Sequence, residues 1–194
     1  MKKLNVGLVG AGFMGKAHVV AYSNMPKFFW PAPAVPVLKT ICDIEPSIAQ
    51  EAKERFGFEK CCTDWHDIVN DPEIDVVSVC TPNDSHAPIA IAALEAGKHV
   101  ICEKPIASKL DDAEAMAKAA QEAAKKGIVS MNAYQYRRVP AIDLAKKFIE
   151  ELMVLTPEEV EYLELFEKGE YRPEFLFGDD EIIWNIKEHP MAVW

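Results

Sequence analysis

Residues 4–15 read LNVGLVGAGFMG, an apolar run over 4–9 that passes directly into the pattern Gly10-x-Gly12-x-x-Gly15. A short apolar run before a glycine turn reads as a buried strand, and residues 13–22 behind it read as a helix. Each glycine has a steric purpose. Gly10 allows the tight turn out of the strand. Gly12 lets the backbone approach a pyrophosphate, with Phe13 and Met14 opening the helix. Gly15 lets that helix pack close to the strand. The pyrophosphate then meets free N–H groups at the positive end of the helix dipole. A plain structural turn is the competing reading; the strand before the glycines and the helix after them favour a dinucleotide site.

The same alternation continues along the chain. Strands are expected at residues 37–43, 60–63, 76–80, 99–102 and 129–132. Helices are expected at 46–56, 65–70, 87–96, 111–126 and 139–151. Pro46 suits a first helical turn, and Gly57, Gly97 and Gly127 stand where helices stop. Asp64 or Thr63 caps the short helix after the third strand. VVSVC at 76–80 is nearly continuous in β-branched residues, as a parallel strand covered on both faces should be. MPKFFWPAPAVP, residues 25–36, holds four prolines and three aromatics and reads as an ordered loop. Six strands with right-handed helical crossovers give an α/β fold, a doubly wound parallel Rossmann sheet in the order 3-2-1-4-5-6.

In such sheets ligands bind beyond the carboxyl ends of the strands. Here those ends carry Gly10–Gly15, Asp43, Thr81 to His86, Glu103 to Pro105, and Asn132. Asp43 can accept hydrogen bonds from the adenosine ribose hydroxyls and would repel a 2′-phosphate, so it favours NAD over NADP. The interval from Gly15 exceeds the usual ~20 residues, and the proline-rich loop accounts for the excess. Asp43 could equally cap the helix that follows. Thr81, Pro82 and Asn83 suit a turn whatever the function. Lys104, in CEKP, reads on residue type alone as an exposed loop lysine; it could serve as acid or base if its amine were desolvated, while Glu103 beside it would act oppositely through charge pairing. Pro105 could hold a cis bond that aims the lysine.

Residues 1–151 resemble the glucose–fructose oxidoreductase / inositol dehydrogenase / MocA family of NAD(P)-dependent oxidoreductases. The segments that carry the likeness are VGLVGAGFMGKAHVVAY, ICD, TPNDSHAPIAIAALEAGKHVICEKP and NAYQYRRVPAIDLAKKFIE. The resemblance implies that Lys104 is the catalytic lysine, hydrogen-bonding the substrate hydroxyl beside the nicotinamide. It implies that Thr81, Pro82, Asn83 and His86 line the nicotinamide ribose side, and that Asn132 borders the nicotinamide. It places Arg137 and Arg138 at the passage into a second, substrate-binding domain. The implied function is NAD-dependent hydride transfer from a secondary alcohol on a sugar or polyol.

Beyond residue 151 the likeness ends, and no substrate domain of that family is legible. Residues 151–194 hold 12 acidic against 3 basic side chains, whereas residues 1–150 are nearly balanced, so the net charge of −10 sits mostly in this tail. Residues 152–194 read as an acidic, aromatic-rich helical appendage, with helices at 157–168 and 179–187. Its end faintly resembles the C-terminal part of nucleotidyltransferase-like toxins of abortive-infection systems, without their catalytic motif. The competing reading of function is an NAD-binding module or truncated remnant that acts through a partner. Tail and open sheet end would then support self-association or docking.

The negative charge argues against nucleic acid as a partner. No apolar run reaches the ~18 residues of a membrane span, and the N-terminus lacks a cleavage site, so a cytoplasmic protein is expected. Five cysteines without CxxC spacing and five unclustered histidines predict reduced thiols and no metal site. The vicinal pair Cys61–Cys62 is the one arrangement open to redox chemistry.

Overall fold

The computed structural model describes residues 1–152. Six strands, all parallel, form one sheet: β1 (Lys3–Val9), β2 (Val35–Cys42), β3 (Lys60–Cys62), β4 (Val76–Val79), β5 (His99–Cys102) and β6 (Ser130–Asn132). Their order across the sheet is β3-β2-β1-β4-β5-β6, the doubly wound order expected from the sequence. The connections are α1 (Phe13–Phe28), α2 (Pro46–Phe56), α3 (His66–Asn70), α4 (His86–Glu95) and α5 (Leu110–Ala124). Residues Met1–Gln135 form one compact unit, and α6 (Pro140–Leu152) lies in the next. The helices expected at 157–168 and 179–187 lie outside the described residues.

Period-two alternation divides the core between the faces of the sheet. Leu8 and Val9 are neighbours on β1 and both buried, yet they pack into different clusters. Leu8 joins Val19 of α1, Ile41 of β2, Ala52 of α2 and Phe58. Val9 joins Ile68 of α3, Val77 and Val79 of β4, Ile89 and Leu94 of α4, and Met116 of α5. Helices α1 and α2 therefore cover one face, and α3, α4 and α5 the other, which is what winding outward in both directions from β1 demands.

The structure corrects the first crossover. Residues 25–28 are not loop: α1 continues through Pro26 to Phe28. Pro26 forfeits its own N–H bond to the carbonyl of Tyr22 and its ring crowds that carbonyl, yet the last turn still closes through Phe29 N–H to Met25 O at 3.1 Å. A helix three residues from its end loses little to such a break. The long interval between Gly15 and Asp43 is thus mostly helix. Gly57 ends α2 as expected, with φ of 78° and its N–H bonded to Lys53 O.

Candidate functional site

Five of the six strands hand their ladder on to the residue that follows them. Gly10 N–H donates to Cys42 O at 2.8 Å, Asp43 N–H to Cys62 O at 3.2 Å, and Cys80 N–H to Val9 O at 2.8 Å. Glu103 N–H donates to Val79 O at 2.9 Å and Ala133 N–H to Cys102 O at 2.8 Å. The sheet itself therefore brings Gly10, Asp43, Thr81, Glu103 and Asn132 to one end, with the reversal of strand order falling between β1 and β4.

The glycines divide their duties as the motif requires. Gly10 turns with φ of 97°, and a Cβ there would lie 2.6 Å from Cys80 O. A Cβ on Gly15 would collide with the carbonyl oxygen of Gly10. At Gly12 the opposite holds: a Cβ would meet nothing within 4 Å. That open space lies over the start of α1, where no side chain caps the helix and no acidic residue occupies the first turn. The N–H groups of the first turn have no acceptor within their own helix. Phe13 is largely exposed beside them, and Met14 is half-buried.

Asp43 sits beneath this turn. Its Oδ2 accepts Ala11 N–H at 2.9 Å and its Oδ1 accepts Glu45 N–H at 3.1 Å. Two further acceptor positions on the carboxylate are unused by these bonds. The helix α2 itself has no side-chain cap, so the capping alternative for Asp43 reduces to the Glu45 contact. Asp43 lines a cavity of about 270 Å³ together with Ala11, Gly12, Lys16, Glu51 and Phe56.

Beyond β4, Thr81 accepts Ser85 Oγ–H at 2.8 Å, while Pro82 and Asn83 are exposed. His86 is fully buried: Nδ1 lies 2.9 Å from Pro105 O and Nε2 3.0 Å from Thr81 O. Its ring offers no surface to a ligand and instead ties the loop after β4 to the loop after β5. Glu103 is also turned inward, 5% exposed. It forms no ion pair with the Lys104 ammonium among the described residues; its Oε1 meets His18 Nε2 at 3.1 Å and its Oε2 accepts Lys104 N–H at 3.1 Å. Lys104 itself is exposed, and the Lys104–Pro105 peptide is cis. Asn132 has both side-chain amide atoms shielded from solvent and without a partner among the described residues.

Two polar side chains on α1, His18 and Tyr22, went unread in the sequence, as did their partner Ser78. The Tyr22 hydroxyl lies 2.6 Å from Ser78 Oγ, and His18 Nδ1 lies 3.4 Å from the same oxygen. Burial raises the Tyr22 pKa, which keeps its phenol protonated. The signal was available: His18 and Tyr22 stand four apart on one helix face, and Ser78 is the one hydroxyl in a strand otherwise built of valine.

The vicinal cysteines do not act together. Cys61 Sγ reaches Gln50 at 3.3 Å, whereas Cys62 is the register partner of Cys42 and packs with it on the opposite face. The Cys42 and Cys62 thiols are paired across the sheet, and their interaction lowers the Cys62 pKa and raises that of Cys42. Burial also pushes Cys80 up, and takes Cys102 to about 12. All five cysteines are free thiols. Among the described residues no group of three or more ligating side chains could hold a metal, and no helix is long and apolar enough to cross a membrane.

Uncapped N–H groups over an open glycine, an acid under the same turn and an unpartnered amide on the last strand suit a bound dinucleotide. The fold and this end of the sheet define a dinucleotide-binding protein of the doubly wound class. Residues 4–132 match the oxidoreductase family with an NAD-binding Rossmann fold, and the chain belongs to that family. It is 58% identical over 151 residues to levoglucosan dehydrogenase of Pseudarthrobacter phenanthrenivorans, covering 78% of this chain and 38% of the relative. It is 36% identical over 124 residues to inositol 2-dehydrogenase of Salmonella typhimurium, covering 63% of this chain and 35% of the relative. A solved levoglucosan dehydrogenase in complex with NADH and levoglucosan superposes with a TM-score of 0.72 at 57% identity, over 77% of this chain and 40% of that one. The chain therefore spans about two-fifths of the length of these relatives.

Proposed function

We propose that this chain binds NAD and serves the oxidation of a secondary alcohol on a sugar or polyol. The observation that carries the reading is the start of α1: free N–H groups, empty space over Gly12 and the Asp43 carboxylate beneath the same turn. The first-turn N–H groups of α1, reached over Gly10, Gly12 and Gly15, hold the pyrophosphate, with Phe13 and Met14 flanking it. Asp43 accepts from the adenosine ribose hydroxyls into the cavity beside Lys16, and its charge disfavours a 2′-phosphate. Thr81, Pro82 and Asn83 line the nicotinamide ribose side. His86 and Pro105 fix the two loops against each other. Asn132 offers its unpartnered amide to the nicotinamide end.

Lys104 follows β5, and its side chain has no carboxylate partner among the described residues; in its neutral amine form it accepts the proton of the substrate hydroxyl as the hydride leaves the alcohol carbon. NAD, when bound, supplies the acceptor for the hydride that leaves the alcohol carbon. Sugar or polyol as the substrate class follows from the relatives, whose names are those of levoglucosan and inositol dehydrogenases.

Calorimetric titration of the chain with NAD, and with NADP in parallel, tests the cofactor reading. Saturable NAD binding with NADP at least about tenfold weaker is expected, a difference of about 1.4 kcal/mol. No heat with NAD, or equal affinity for the two nucleotides, would overturn it. A turnover screen over sugars and polyols, with Lys104→Met as control, then tests the substrate class.

A further inference from the structure

Between the cofactor helix and the lysine loop runs a continuous line of buried polar contacts that the motif does not call for. It starts at Tyr22 and passes through Ser78 and His18 to Glu103, ending at the backbone N–H of Lys104. Ser78 is fully buried, the Glu103 side chain is 7% exposed and that of His18 14%. A buried carboxylate needs its lone pairs filled by donors, and Glu103 has two in place.

The hydrogen-bond capacities fix the direction of the line. An ionised Glu103 only accepts, so His18 Nε2 must carry a proton. In a neutral imidazole Nδ1 is then the acceptor and takes Ser78 O–H. Ser78 has one hydrogen, now committed, so its oxygen accepts from the Tyr22 hydroxyl. With the imidazole neutral or charged, Nε2 carries the proton that faces Glu103 Oε1, and Glu103 Oε2 is left to accept Lys104 N–H.

We propose that His18 is a positioning residue for Lys104. It holds the Glu103 carboxylate in the one orientation that also fixes the backbone of Lys104. Through it, α1, which carries the pyrophosphate site at its N-terminus, is joined to the loop that carries the lysine. The role for Lys104 rests on the function proposed above; the bridge itself is a property of the fold. The role assigned to His18 is exerted through Glu103.

Two NMR measurements on the full chain test this. The first is on the unaltered protein: the ring nitrogens of His18 should show a proton on Nε2. A bare Nε2 overturns the proposal. The second reads hydrogen exchange at the Lys104 amide in His18→Asn, His18→Gln and His18→Ala. Glutamine places an N–H donor as far out as Nε2, whereas asparagine reaches only as far as Nδ1. Exchange should accelerate at least about tenfold in the asparagine and alanine variants and return to within about threefold of the parent in the glutamine variant. Equal exchange in all four proteins, or equal acceleration in all three variants, overturns it. A variant that does not fold leaves the Nε2 measurement decisive.

NAD titration of the same proteins separates the two readings. If the parent fails to bind NAD while Lys104 responds to His18, the cofactor reading falls and the bridge stands. If NAD binds and Lys104 is indifferent to His18, the bridge falls alone.

Discussion

Replacing Gly12 by alanine should abolish or strongly weaken NAD binding while leaving the fold nearly as stable as before. The backbone at Gly12 has φ of −67°, which alanine adopts freely, and an added Cβ meets nothing within 4 Å. The only local loss is a less favourable residue at the start of α1, about 1 kcal/mol or less. The methyl would instead stand in the space through which a pyrophosphate must reach the helix N–H groups. Those bonds need donor–acceptor distances of about 2.9 Å, so a methyl in that approach should cost at least about tenfold in affinity, or about 1.4 kcal/mol. Gly10→Ala provides the contrast. Its Cβ would lie 2.6 Å from Cys80 O, at a φ of 97°. The left-handed backbone costs about 1–2 kcal/mol and the overlap about 1–3 kcal/mol. The total is a large part of the ~5–15 kcal/mol that holds a domain together. Urea unfolding and NAD calorimetry on both variants decide the matter. If Gly12→Ala binds NAD as tightly as the parent, or loses as much stability as Gly10→Ala, the reasoning is refuted.

Three further outcomes are expected. Lys98, buried, donates to the carbonyls of Asp71 at 2.7 Å and Ile74 at 2.8 Å. Lys98→Met strips both, and urea unfolding should show a loss of about 2–5 kcal/mol from two orphaned acceptors; a neutral result would mean that water replaces the amine. Among Cys42, Cys62, Cys80 and Cys102, a thiol reagent followed by peptide mass analysis should modify Cys62 first, because its thiolate is favoured by Cys42 while burial holds Cys80 and Cys102 protonated; early labelling of Cys80 would contradict this. The raised Tyr22 pKa makes stability fall in alkali. The unfolded chain releases this proton near pH 10 and the folded chain higher, so stability is full below pH ~10 and declines above it. Tyr22→Phe should remove that part of the decline, as read by urea midpoints across the pH range.

The sheet order was legible because the central strands are short apolar runs stopped by a glycine or a polar turn, and right-handed crossovers leave few arrangements, of which the doubly wound order is the natural one for a glycine motif after the first strand. The extension of α1 was not, because a proline looks the same in sequence whether it breaks a helix or sits where the last turn still closes. At the candidate site Gly12 was legible in the glycine motif and Asp43 as an acid ending a strand, whereas a role for Lys104 came only from the family resemblance of its segment. His86 and Glu103 could be found but not oriented: a sequence places a polar residue at a strand end without saying whether it turns to the cleft or to the interior. The vicinal cysteines show the same limit, since adjacency along a strand means opposite faces of the sheet. Ser78 and its partners on α1 needed the tertiary structure, since their meeting depends on which helix crosses which strand.

If Asp43 sets nucleotide preference as proposed above, it carries a constraint for anyone wishing to re-engineer that preference. A designer seeking to admit a 2′-phosphate would first remove this negative charge. The same carboxylate, however, is the acceptor for Ala11 N–H inside the glycine turn and for Glu45 N–H ahead of α2. A swap to alanine or serine thus removes repulsion and scaffolding at one stroke, and the turn loosens just where the pyrophosphate should land. Asparagine keeps one carbonyl acceptor but puts an amide donor against the second N–H. Cofactor swapping here is a two-position problem: the replacement must come with a new acceptor for the Ala11 amide, drawn from a neighbouring side chain.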